Sequence, residues 1–72
     1  MKKQNTFSKL SKRETQILQL ILDGKRVVAI AEELELKTNT ISTFKKNIYH
    51  KLSVLSSIDL YKLAIKEGLV TV

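Results

Sequence analysis

The 72-residue chain has no cysteine and no proline, only two glycines, and a single histidine. Without cysteine there is no disulfide framework, no thiolate-ligated zinc and no thiol nucleophile. One imidazole, His50, cannot build a metal centre or catalytic constellation that needs several. No apolar run approaches the roughly 18 residues that a bilayer span requires. The first eleven residues carry lysines but no apolar stretch, so they do not read as a secretory signal. With so few chain breakers, strands joined by tight turns are disfavoured, and an all-helical chain is expected.

What is present is positive charge and a modest core. Thirteen Lys and Arg face seven Asp and Glu, giving a net charge of +6, and apolar residues make up 43%. That apolar content excludes a disordered tail. At this length a single domain buries only about 60% of its unfolded surface. The basic balance points to an intracellular protein with a polyanionic partner.

Residues 1–9 are polar and aperiodic and read as a flexible arm or linker. Residues 10–72 then read as one all-α, four-helix compact domain, with helices over about 12–23, 27–34, 39–52 and 57–67. Ser11 and Glu14 have capping-box spacing at the start of the first helix, followed by the stripe Ile17, Leu18 and Ile21. Gly24 and Gly68 stand where helices stop, because glycine accepts the left-handed backbone of a helix C-terminus. The second helix has a poor start, since Arg26 holds the place of a capping oxygen. Thr38 is the expected cap of the third helix, and Ser56 with Asp59 a weaker cap of the fourth.

The third helix has two unlike faces. At about 100° per residue, Ile41, Phe44, Ile48 and Leu52 fall within roughly 80° of one another and form a core stripe. Opposite them lie Asn39, Ser42, Thr43, Lys46 and His50, flanked by Lys45 and Tyr49 on one side and Thr40, Asn47 and Lys51 on the other. From Leu36 through Ile58 there are four lysines and no acid. An ordinary solvated helix face mixes Glu with Lys. Short hydroxyls and lysines instead let a backbone come close to a groove floor while meeting base edges and phosphates. The second helix, a short turn and the third helix match a helix-turn-helix, with Ala31 as the small residue at the crossing. Glycine is common four residues later, but Glu35 stands there.

At this point the residues resemble a known family. The run Leu10-Ser11-x-Arg13-Glu14-x-x-Ile17-Leu18-x-Leu20-Ile21-x-x-Gly24 is similar to the opening of the LuxR/FixJ-type, or GerE-type, DNA-binding domain. The likeness continues through Ile30-Ala31-x-x-Leu34, Thr40-Ile41-Ser42, Asn47-Ile48 and Lys51-Leu52-x-Val54, and reaches Asp59-Leu60 and Ala64. The resemblance implies a cytoplasmic bacterial transcription regulator that binds double-stranded DNA and is a candidate output domain of a two-component response regulator. It implies a third helix that enters the major groove with Ser42, Thr43 and Lys46 facing bases. Thr38, Asn39, Thr40, Lys45, Asn47 and Lys51 are then the phosphate-facing residues. RNA polymerase is a further partner that it implies. The sequence departs from the family in the run Arg26-Val27-Val28-Ala29, usually polar, and in Phe44, often His, which reads as extra core packing.

The fourth helix is apolar on more than one side. Leu60, Leu63 and Ala64 can cover the core, while Ile58, Tyr61, Ile65 and Leu69 share a second spacing. That second face reads as the contact of a homodimer through the fourth helix, with packing inside the monomer as the rival. A protein-interaction or adaptor bundle of the same fold, without DNA binding, is the alternative function. No enzymatic role is expected, because paired carboxylates, a nucleophile with its base, a glycine-rich phosphate loop and a metal cluster are all missing. No cofactor or metal is expected, and no membrane partner.

Overall fold

The computed structural model describes residues 6–68. They are all-α. A single 3-10 turn, Thr6–Lys9, precedes α1 (Lys12–Leu22), α2 (Val27–Leu34), α3 (Thr38–Leu52) and α4 (Ser57–Lys66). The last four residues of the expected flexible arm therefore form a short turn, which packs against α3. Leu10, only 9% exposed, anchors the chain behind it. The rest of the arm, residues 1–5, and Leu69 of the expected dimer face lie outside the described residues.

The core follows from one stripe per helix. Ile17, Leu18, Ile30, Ile41, Ile48 and Leu60 are the largest side chains that are fully buried. In α1 the buried positions step three, four and seven residues along the helix, which puts them on one face. Ala31 and Ile41 are both buried where α2 meets α3, so the small residue does lie inside the helix-turn-helix. Phe44 is half-buried and packs on the core, as do Leu63 and Tyr49. From α4, Leu60 and Ala64 are completely buried.

Three helix ends share one geometry. Each closes with a left-handed residue whose amide bonds back three residues and whose successor bonds back five. The pairs are Gly24 to Ile21 with Lys25 to Leu20, Glu35 to Glu32 with Leu36 to Ala31, and Ser53 to His50 with Val54 to Tyr49. These are Schellman closures, which favour glycine. Only the first has it. Glu35 (φ 57°) and Ser53 (φ 58°) hold side chains in the left-handed region, at a cost of about 1 kcal/mol each. The turn between α2 and α3 is thus strained as its missing glycine implied.

The helix starts differ. Ser11 caps α1 with a complete capping box. Ser56 caps α4 by accepting from the Asp59 amide, while the Asp59 carboxylate turns to the Leu55 amide and not to that of Ser56. The α2 start has no side-chain cap at Arg26, as its sequence indicated. The α3 start corrects an expectation: Lys37 is the capping residue, without a side-chain cap, and Thr38 is already helical. Half-buried Leu36 packs on the core just before the extended Lys37.

Candidate nucleic-acid interface

The face of α3 opposite its core stripe is open. Asn39, Ser42, Thr43, Lys46, Asn47 and His50 are all exposed, while Ile41 and Ile48, on the other side, are fully buried. No acid occurs on α3. Among the described residues, no side-chain hydrogen bond or ion pair engages Ser42 or Lys46, so one hydroxyl and one ammonium are available there. Thr43 differs: its hydroxyl donates to the Asn39 carbonyl at 3.0 Å.

The flanking residues divide into two groups. Thr38 is exposed in the first turn of α3, and Thr40 is half-buried. Lys37 and Arg26 have side chains that only donate, so neither can accept from the first-turn amides of its helix. Lys45 is half-buried, its ammonium 5.8 Å from the centre of the Tyr49 ring. It lines a cleft of about 330 Å³ with Lys25, Arg26, Val27, Ser57 and Tyr61. Lys25 is engaged by Glu33 at 2.8 Å, which pushes its pKa up. The Tyr49 hydroxyl is buried without a partner, and burial raises its pKa.

Lys51 is placed otherwise. Its ammonium bonds Glu14 Oε1 at 2.8 Å, across 37 residues of chain. That same oxygen accepts the Ser11 amide at 2.9 Å. Glu14 is 5% exposed, and the Lys51 bond, then the Ser11 amide, hold its carboxyl below the usual carboxylate pKa. Sequence reasoning had found the cap but not the cation. The signal was available: Glu14 stands three and four residues before Ile17 and Leu18, on the buried stripe, where a carboxylate requires a partner.

The second face of α4 is only partly free. Ile58 and Ile65 are 66% and 43% exposed, and Leu55, just before the helix, is 92% exposed. Tyr61 is half-buried, and its hydroxyl lies 2.9 Å from the Ile21 carbonyl and 3.2 Å from that of Leu22. The Ile21 carbonyl already accepts the Gly24 amide, so the hydroxyl adds a side-chain donor to the closure of α1. Tyr61 thus serves the monomer's own packing, the rival that the spacing had left open.

Four helices with a helix-turn-helix, and an acid-free outer face on α3, define the class of helix-turn-helix domains. The chain belongs to the luxR family of bacterial regulatory proteins, whose model matches residues 8–64. It is 45% identical over 65 residues to the uncharacterised response regulatory protein YgeK of Escherichia coli K12, covering 90% of this chain and 44% of that one. It is 35% identical over 68 residues to the response regulator UvrY of the same organism, covering 94% of this chain and 31% of that one. It is 38% identical over 64 residues to the response regulator GacA of Pseudomonas aeruginosa, covering 89% and 30%. The chain therefore spans less than half the length of these relatives. The family and these relatives are regulators, in agreement with the expectation that the chain is not an enzyme. Among the described residues, no helix is long and apolar enough to cross a membrane.

Proposed function

We propose that this domain binds duplex DNA in a sequence-specific manner and acts as the output part of a response regulator in the bacterial cytoplasm. One observation carries the reading: the outer face of α3 is exposed, acid-free and, among the described residues, covered by no other element. Ser42, Thr43 and Lys46 meet base edges in the major groove. Thr38, Asn39, Thr40, Lys45 and Asn47 meet the phosphates on either side. The bare amides at the starts of α2 and α3, beside Arg26 and Lys37, add anion-binding groups at the same interface. Lys51 reaches a phosphate only by sharing its ammonium with Glu14.

The test is a salt titration of labelled-duplex binding by anisotropy. Neutralising three phosphates weakens binding about 40-fold between 50 and 200 mM salt. Lys46→Ala then costs about 1–3 kcal/mol on the preferred sequence and little on a random one. Absence of duplex binding even at the lowest salt defeats the reading in favour of an adaptor bundle.

Dimerisation through α4 is the finer part of this reading. Ile58 and Ile65 stand seven residues apart on one side of α4, and the exposed Leu55 lies just before the helix. Two copies joined there bind half-sites about one helical turn apart. Ile58→Glu is the appropriate probe, since changing Tyr61 also disturbs the end of α1. A sedimentation mass on cognate DNA that is unaltered by Ile58→Glu defeats the dimer.

A further inference from the structure

Within the base-facing group, Ser42 and Thr43 look equivalent in sequence, two neighbouring short hydroxyls. The structure separates them. A hydroxyl has one proton to donate and two lone pairs to accept with. The Thr43 proton is already given to the Asn39 carbonyl, at 3.0 Å, within the same helix. Ser42 has no such bond, and Lys46 carries an unengaged ammonium one turn further on. Thr43 thus directs its proton to its own helix and not toward the surface where the acceptors of guanine or thymine O4 would lie. What it retains on an exposed surface is a γ-methyl group and two lone pairs. Of the four bases, only thymine presents a methyl group in the major groove.

We propose that Thr43 is a thymine-specifying residue that works through its γ-methyl group, because its hydroxyl is used to fix its own rotamer against Asn39. The restriction of a β-branched side chain at χ1, reinforced by that bond, holds the methyl in one position before DNA arrives. The division of labour is then chemical. Lys46, a donor only, suits the two acceptors of guanine; Thr43 suits a thymine beside it; Ser42 can donate or accept and discriminates least. The proposal rests on the DNA-binding reading above and sharpens it to one atom.

The experiment uses duplexes selected from a random pool by the wild-type protein, followed by replacement of single thymines with deoxyuridine, which removes only the 5-methyl group. One thymine per half-site is expected to weaken wild-type binding about fourfold when demethylated, the size of one lost methyl burial. Thr43→Val keeps the methyl and discards the hydroxyl, so it keeps the sensitivity to deoxyuridine. Thr43→Ser keeps the hydroxyl and discards the methyl, so it binds thymine and deoxyuridine duplexes equally. Thermal melting of both variants confirms their folding. The proposal is overturned if Thr43→Val loses affinity or shifts the selected sequence while Thr43→Ser preserves both, or if no thymine responds to demethylation in the wild type. Recovery of no duplex at all from the pool removes the DNA-binding reading as well, an outcome distinct from the other two.

Discussion

The outer helices and the inner pair begin in opposite ways. Both α1 and α4 open on serines whose oxygens accept a first-turn amide, and α1 adds a returning carboxylate. Both α2 and α3 open on cations, Arg26 and Lys37, that can accept nothing. The outer pair is closed upon itself, and its caps contribute about 1 kcal/mol each. The inner pair forgoes that stability and leaves amides and positive charge facing outward, an arrangement suited to an anion supplied by a partner. The contrast separates what stabilises the domain from what equips it to bind.

The largest effect is expected where a closed start is opened. Glu14→Ala removes the returning half of the capping box and the ion pair with the exposed Lys51, lowering unfolding free energy in urea by about 1–2 kcal/mol. Lys46→Met, on the same helix as Lys51 but unpaired, changes it by no more than about 0.5 kcal/mol. Equal losses from the two would erase the distinction.

The same carboxylate gives a pH signature. Its folded pKa is lowered from 4.5 by Lys51 and Ser11, so its stabilisation is fully present above that value. It is lost as pH falls through the lower, folded value. Chemical denaturation in that acid window should show a decline that Glu14→Gln lessens. A decline of unaltered size in that variant would assign acid sensitivity to other groups.

Closing an open start should run the other way. Lys37→Asp provides α3 with a cap and is expected to raise stability by about 1 kcal/mol while weakening duplex binding and reducing the salt slope by about one. A gain in both properties would show that the cation at this position plays no part in binding. Glu35→Gly relieves the left-handed turn and should stabilise by about 0.5–1 kcal/mol without altering DNA preference. Smallest of all, Tyr49→Phe deletes the buried hydroxyl that has no partner. It should be neutral or slightly stabilising, with a melting temperature at or just above that of the parent.

Much of this could be read from residue order because it is local. Periodicity along one helix placed the Ile41 and Lys46 faces of α3, and the spacing of Ser11 and Glu14 gave a cap that the structure contains. The strain at Glu35 was legible too, as a missing glycine. Pairings between distant segments were not. Lys51 looked like one more cation on a basic helix until α1 brought Glu14 against it. Tyr61 had the spacing of an outward apolar row, but its hydroxyl donates to carbonyls 39 and 40 residues earlier. Thr38 had the chemistry of a cap, but α3 already includes it and the capping place falls on Lys37.

The Glu14 oxygen that joins the Ser11 amide to the Lys51 ammonium has a structural consequence. The strand of chain entering the domain at Leu10 and Ser11 is clamped, through a single atom, to the last turn of the helix that faces outward. The entrance of the domain and the last turn of α3, 37 residues apart in the chain, are thereby joined directly by side chains.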